Sequence, residues 1–440
     1  MFTGGIDLPD EKQDTLDAAV QPCTPAGVLR VALHVSAAAL TGKSAPRDEV
    51  FVEPGQDVTA GQLLARCGAD SLEVLSPTSG RVVGMTTAEV AAGDEFLPSP
   101  AVEIAADGGA FEMPSPTADF DWRAGSGASL RQRIASGSLT THRRPVLSLS
   151  VWIDRARARR CRTVVANVMQ SQPMVTAGHR LLVDCGQEVI RGLAILRSAL
   201  EAEEAIIAVD HRRTGDYQHV VAAANSYRIS RVALPHKYPM GTDEMLLKVL
   251  ARREAPPGHS TLSVGFAMID ASTCQAVYRW VACGLRPLGR VVTVAGPRAA
   301  APGNYWVPFG TNCLALAGQD EQPVIQNGPM VGVRCTPRAV VSPATDAVLA
   351  LAAAVPAPPG PCIRCCWCTD HCPARLNVAA LNDAYELGRL DRARQLVAAA
   401  CVECGVCTYV CPARLPLSQR VKQLKRALQG GRGLSAPARE

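Results

Sequence analysis

Eight cysteines near the end of the chain constrain its fold more than any other feature. Four lie in Cys362-Ile363-Arg364-Cys365-Cys366-Trp367-Cys368-Thr369-Asp370-His371-Cys372-Pro373. Four more lie in Cys401-Val402-Glu403-Cys404-Gly405-Val406-Cys407-Thr408-Tyr409-Val410-Cys411-Pro412. Both runs read C-x2-C-x2-C-x3-C-P, the spacing with which a chain wraps a pair of [4Fe–4S] clusters. A cubane has one iron at each of four tetrahedral corners, and each iron takes one thiolate. Three cysteines at steps of three serve three corners of one cluster, and the fourth, before proline, turns to the other. The spacing predicts Cys362, Cys365, Cys368 and Cys411 around one cluster, with Cys401, Cys404, Cys407 and Cys372 around the second. Zinc fits less well: its knuckles supply four ligands per ion and have no use for a third cysteine at the same step, twice. Cys366 is spare, stands where the second run has Gly405, and reads as a packing residue.

The chain holds 17 cysteines. Those between Cys23 and Cys335 are scattered singly and read as small buried hydrophobes. A disulfide framework for the crowded ones does not suit a reducing compartment. Between the motifs, residues 378–387 and 391–400 read as two helices joined at Gly388, with Asn377 and Asp391 as caps. Residues 362–428 then form a helical two-cluster, ferredoxin-like module, with a tail over 429–440. From Cys362 onward there are 12 Lys or Arg against 6 Asp or Glu. That excess offsets the negative charge of thiolate-ligated clusters and raises their potentials.

At 440 residues the chain has room for two to four domains. Hydrophobic residues make up 48% of the chain and aromatics only 4%, so the cores must be built from Ala, Val and Leu. A net charge of +5 with no basic stripe interleaved with aromatics argues against nucleic acid. Residues 1–9 lack the basic start and apolar run of a signal peptide. The most apolar stretch, 347–355, falls well short of the roughly 20 residues of a membrane span. The expected location is cytoplasmic, peripheral on the cytoplasmic face of the inner membrane.

Residues 1–105 read as an irregular start followed by short strands. Val52-Glu53-Pro54-Gly55-Gln56-Asp57-Val58, Gly61-Gln62-Leu63-Leu64 and Ser76-Pro77-Thr78-Ser79-Gly80-Arg81-Val82 resemble the barrel-sandwich fold of lipoyl and biotinyl domains. No Lys stands at the expected tip, Gly68-Ala69-Asp70-Ser71, so a scaffold is expected rather than a swinging arm. Residues 106–130 read as a linker. Over 131–258, strands near 163–168, 205–209 and 232–234 alternate with helices near 187–202 and 217–227, the pattern of a parallel sheet. Residues 259–335 read as a small mixed domain with one helix over 273–282. Residues 336–361 hold six prolines and read as a second linker.

Taken together, the motifs resemble the RnfC family, a component of the Rnf membrane electron-transfer complex. The resemblance runs through Gly4-Gly5-Ile6 with Pro9 and Lys12, the sandwich segment, Thr176-Ala177-Gly178-His179-Arg180-Leu181 and Lys237-Tyr238-Pro239-Met240-Gly241. It continues in Gly284-Leu285-Arg286-Pro287-Leu288, Val291-Val292-Thr293-Val294-Ala295-Gly296, Pro308-Phe309-Gly310-Thr311 and the cysteine cassette. It implies a multidomain α/β protein: a barrel-sandwich hybrid, an α/β domain like the flavin-binding part of complex I, a β-grasp (SLBB) domain and the ferredoxin-like module. It also implies FMN and NADH at the sheet's C-terminal edge, with backbone N–H groups of a Gly-rich loop on the phosphate.

There the sequence departs from the family. In place of a G-G-x-G-F-P-T run and Lys stands Ser136-Gly137-Ser138-Leu139-Thr140-Thr141-His142-Arg143-Arg144, and Leu139 stands in the way of a phosphate. In place of a Glu-Cys-Glu run stands Asn167-Val168-Met169-Gln170-Ser171-Gln172-Pro173. A scaffold without nucleotide chemistry near Gly137 and Asn167 is therefore expected. His142, Arg143 and Arg144 read as an exposed basic loop; His179 and His236 read as packed or exposed rather than ligating. The expected function is an electron-transfer subunit relaying electrons through two [4Fe–4S] clusters to or from a membrane redox complex, with ferredoxin or another small carrier as a partner. The alternatives are a component of an FMN-dependent NADH dehydrogenase and a cobalamin reductase of the same family.

Overall fold

A computed structural model describes residues 3–24, 27–35, 48–68, 72–143, 145–319, 323–352 and 358–430. The chain forms two compact units, each assembled from separated stretches. The larger takes Asp10–Leu234 and Gly265–Ala353; the smaller takes Met1–Pro9, Pro235–Val264 and Ala354–Glu440.

In the larger unit the sandwich segment carries two antiparallel sheets. One orders Val28–Ala32, Glu95–Ala106, Gly80–Ala92 and Asp57–Val58; the other orders Glu49–Val50, Leu63–Cys67 and Leu72–Leu75. Alternation of Val and Leu fills the space with Val31, Leu64, Val82, Val102 and Ile104. The strands 80–92 and 95–106 form a long hairpin, where short strands were expected. The expected tip at residues 69–71 lies outside the described residues.

The βαβ pattern folds as a four-stranded parallel sheet in the order Ile229–Leu234, Glu204–Asp210, Thr163–Asn167, Phe266–Asp270. Its central strand is fully covered at Val164, Val165 and Ala166, as a sheet with helices on its faces requires. The helix Ala177–Leu200, bent at Cys185, crosses the helix Ala271–Cys283 closely. A Cβ at Gly192 would stand 1.7 Å from the Cys274 carbonyl oxygen, so only glycine permits this crossing.

Three expectations of extent are revised. The strand Phe266–Asp270, expected in the second small domain, completes the parallel sheet because it pairs with Thr163–Asn167. Residues 106–130 are largely irregular, yet Phe111 bridges Cys23, Trp122 is buried, and the helix Gly127–Ser136 begins there. Residues 336–352 are not a linker. Ala347–Ala350 is a buried strand inside a six-stranded sheet, parallel to Gly289–Ala295. Alanine density there marks tight packing, not freedom; residues 353–357 lie outside the described residues.

In the smaller unit the helices Val378–Glu386, Leu390–Gln395 and Leu417–Gly430 surround a core of Leu381, Tyr385, Val421 and Leu424. Asn377 caps the first, its Oδ1 accepting the Ala380 N–H at 3.0 Å, as expected. Asp391 does not cap the second; it lies in the first turn, with Arg389 at the cap position. The expected helix over 391–400 breaks at Val397, whose φ of 56° is left-handed. The helix Leu417–Gly430 was not foreseen, although Leu417, Val421, Leu424 and Leu428 carry a helical period.

Candidate metal centres

The two cysteine runs fold as copies of one another. Arg364 and Glu403 have φ of 56° and 57°, Cys366 and Gly405 63° and 80°, Arg375 and Arg414 55° each. A short helix follows in both, Trp367–Asp370 and Val406–Tyr409. Thr369 Oγ1 accepts the Ala379 N–H, and Thr408 Oγ1 accepts the Ser418 N–H, so each loop is tied to the helix that follows it. These left-handed turns give the two runs the same backbone path.

The thiols gather in two fours. Cys362, Cys365, Cys368 and Cys411 border one small cavity, and the charges of the other three act on Cys368. Cys372 acts on Cys401, Cys404 and Cys407 in the same way. The fourth cysteine of each run therefore lies with the other run. Burial pushes the Cys401 thiol up to about 11 and Cys404 to about 12, and raises Cys407 further. Binding a metal there must displace protons. Backbone N–H groups of Leu376 and Glu403 point at the sulfurs of Cys372 and Cys401, each at 3.4 Å. Among the described residues no three His, Cys, Asp or Glu side chains converge as ligands of a single metal ion. Two four-thiol groups fit two four-iron clusters, in which each thiolate meets a different iron.

Side chains distant in sequence brace the second group. The Tyr238 hydroxyl donates to the Cys404 carbonyl at 2.6 Å. Lys425 Nζ donates to the Cys401 carbonyl at 2.8 Å and pairs with Glu403 at 2.7 Å. Gly5 N–H donates to the His371 carbonyl at 2.8 Å, and a Cβ at Gly4 (φ +76°) would stand 2.6 Å from the Cys372 carbonyl oxygen. Gly4, Gly5 and Tyr238 stand in the family motifs, but nothing in local spacing connects them to the cysteines. Cys366 is exposed and borders the first cavity, so it is not the packing residue expected. Of the eight scattered cysteines, Cys23, Cys67, Cys161, Cys274, Cys283 and Cys313 are buried as expected, and Cys185 and Cys335 partly so.

At the C-terminal edge of the parallel sheet the polar groups are spent on one another. Asn167 Oδ1 accepts the Met169 N–H at 3.0 Å, and Gln172 Oε1 the Met330 N–H at 3.2 Å. Gln170 Oε1 accepts the His179 N–H at 3.1 Å, in the first turn of the helix Ala177–Leu200. Asp270 caps the helix Ala271–Cys283, accepting from Thr273 N–H at 2.8 Å and its hydroxyl at 2.6 Å. A carboxylate thus already occupies that helix end, where a phosphate would meet like charge. The degenerate loop is also closed: Leu139 is buried, its carbonyl accepts the Leu149 N–H, and the His142 N–H donates to Thr273 Oγ1 at 2.7 Å. A Cβ at Gly137 would lie 2.4 Å from Trp280 Nε1, so this glycine serves packing. The residues present here do not fit a flavin phosphate.

The expected exposed basic loop is revised as well. His142 is 3% exposed, with neither ring nitrogen hydrogen-bonded. Burial first, then the Arg290 charge, push it down to about 4, against the pull of Asp270. The ring is apolar packing against Phe309, centroids 6.0 Å apart. Arg143 is half-buried, and Arg144 lies outside the described residues. His179 is buried, with Nδ1 2.6 Å from the Tyr217 hydroxyl, and His236 is half-buried.

Comparison with known proteins agrees with this architecture. The model of the RnfC barrel sandwich hybrid domain matches residues 1–109, and that of the Nuo51 FMN-binding domain matches residues 149–279. The C subunit of the ion-translocating oxidoreductase complex of Edwardsiella ictaluri (strain 93-146) is 30% identical over 392 residues, covering 85% of this chain and 47% of that protein. The chain belongs to the RnfC family. The corresponding protein of Salmonella choleraesuis (strain SC-B67) is 29% identical over 388 residues, covering 85% of this chain and 53% of that protein. The chain spans about half the length of these curated RnfC relatives. A crystal structure of NAD+-reducing [NiFe]-hydrogenase in the H2-reduced state aligns with a TM-score of 0.46 at 14% identity, over 71% of this chain and 55% of that one. All four strands of the parallel sheet fall inside the Nuo51-type match. Among the described residues no helix is long and apolar enough to cross a membrane.

Proposed function

We propose that this chain is the electron-relaying subunit of a membrane-bound redox complex. In this reading Cys362, Cys365, Cys368 and Cys411 hold one [4Fe–4S] cluster, and Cys372, Cys401, Cys404 and Cys407 hold another. Such clusters, when bound, take up and release single electrons. The observation that carries the reading is the exchange of the fourth cysteine between the runs, which ties the two groups into one helical, ferredoxin-like module. Lys425, bonded at the second group, adds positive charge there, and the N–H groups directed at sulfur stabilise thiolate. The six-stranded sheet that includes Gly289–Ala295, Gly303–Pro308 and Ala347–Ala350 supplies a β-grasp-like element, and it acts with the sandwich as scaffold. The chain docks peripherally on the cytoplasmic face of the complex, as its likeness to proteins of ion-translocating oxidoreductase complexes supports.

Anaerobically purified protein is expected to contain about eight irons and no stoichiometric flavin. Cys411→Ser is expected to remove the electron paramagnetic resonance signal of the first cluster and Cys372→Ser that of the second. Loss of the same signal in both variants would refute the crossed assignment. A second reading, a flavin-dependent NADH dehydrogenase, draws on the Nuo51-type match. Tightly bound FMN together with cluster bleaching by NADH alone would establish it.

A further inference from the structure

Five cysteines border the first cavity, one more than a four-iron cluster takes. Cys366 stands there with Cys362, Cys365, Cys368 and Cys411. Cys411, Cys365 and Cys362 act on the Cys368 thiol, and Cys366 is not among them. The resting set is therefore the four already assigned, with the Cys366 sulfur outside it, 3.7 Å from the Arg364 carbonyl oxygen. The second run provides the comparison. Its backbone is the same, with Gly405 at φ 80° where Cys366 has 63°. That left-handed turn favours glycine, so the fold does not call for a side chain at position 366. Packing does not call for one either, because Cys366 is exposed. The spare thiol also stands at the open group. Cys362 and Cys365 are exposed, whereas Cys404 is buried and Cys401 and Cys407 are half-covered. Thiolates at the surface are the ones that oxidants and other electrophiles reach.

Resting on the cluster assignment above, we propose that Cys366 is a reserve ligand of the first cluster, able to replace Cys365 on the iron that Cys365 holds. The two are neighbours in the chain, and residues 358–366 form neither helix nor strand, so the exchange breaks no regular element. The iron–sulfur bond to Cys365 breaks and one to Cys366 forms. Cys366 gives up its thiol proton, Cys365 takes one, and no electron moves. The first group so keeps four thiolates when Cys365 lets go. The second group has glycine at the matching position and no such reserve.

The test removes the resting ligand from the full, anaerobically purified chain. Cys365→Ala is expected to keep about eight irons and both electron paramagnetic resonance signals, the first of them shifted. The double variant Cys365→Ala, Cys366→Gly is expected to fall to about four irons and to lose the first signal alone. Cys404→Ala, in the run without a reserve, is expected to lose the second signal. Alkylation by iodoacetamide, mapped by mass spectrometry, is expected to label Cys366 in the loaded parent and to spare it in Cys365→Ala. Loss of the first signal in Cys365→Ala with the second intact, or continued labelling of Cys366 there, overturns the reserve ligand and leaves the cluster assignment standing. A first signal that survives in the double variant, or a second that survives in Cys404→Ala, also overturns it, because a lost ligand is then made good without a spare thiol. Where Cys365→Ala loses both signals, Cys366→Gly decides. Its first cluster is expected to yield iron to a ferrous chelator several-fold faster than the parent's, and equal rates overturn the proposal. Absence of clusters from the parent protein refutes the cluster assignment itself.

Discussion

Protonation of His142 should be felt as a loss of stability in mild acid. The folded imidazole is held near 4, chiefly by burial, while an unfolded one takes up its proton near 6.5. Between these values the unfolded chain binds the additional proton, so stability rises with pH across the window. The contribution is complete above the unfolded value and disappears as pH falls toward 4. Linkage puts the loss between pH 7 and pH 5 at about 2 kcal/mol, and over the whole window at about 3 kcal/mol. His142→Leu removes the titration at similar volume, and removes two buried nitrogens without partners. At pH 7 the variant should therefore match the parent to within about 1.5 kcal/mol. Urea unfolding followed by tryptophan fluorescence at pH 7 and pH 5 provides the comparison. His179, also pushed down to about 4 by burial, titrates in both proteins and cancels in the difference. Equal losses in parent and variant would refute the argument that His142 is buried neutral.

Leu381→Ala, at a fully buried core position of the small unit, should cost about 2–5 kcal/mol in thermal or urea unfolding. Gly192→Ala should lower the melting temperature of the larger unit, because the added methyl meets the Cys274 carbonyl; overpacking of this kind costs about 1–3 kcal/mol. Asn304→Ala strips partners from Thr15, Ala18, Thr176 and Thr293 in a buried network, and the orphaned groups should cost about 1–3 kcal/mol, read as a shift in urea midpoint.

The grouping of the thiols was legible because it is written in short spacings. The steps of three in Cys362, Cys365 and Cys368 fix which thiols share a turn, and proline after Cys372 and Cys411 fixes which ones turn away. The parallel sheet was legible for a similar reason: unbroken runs such as Thr163–Asn167 can only be strands covered on both faces. Proline and alanine misled where they stood for packing. Ala347–Ala350 lies in a Pro/Ala-rich stretch and still forms a buried strand, since small side chains let sheet and helix approach closely. His142 misled because its neighbours are arginines. Charge along the sequence suggested solvent, while the backbone turns the ring inward against Phe309.

The cysteine module shows where reading along the chain reaches its limit. Its thiols are local, but their support comes from Gly4, Gly5 and Tyr238, far away in sequence. Tyr238 is 2% exposed and donates its hydroxyl to the Cys404 carbonyl, inside the second group only. Tyr238→Phe keeps the ring and removes that one bond, leaving a buried acceptor short of its donor at about 1–3 kcal/mol. Redox titration of the loaded protein, followed by magnetic resonance, distinguishes a local effect from a general one. If Tyr238 braces this loop, only the signal assigned to Cys372, Cys401, Cys404 and Cys407 should shift or broaden, and iron should be lost faster on warming. A change of equal size in both signals would mean that Tyr238 supports the module as a whole, and that the bond to Cys404 has no special part in shaping the second group.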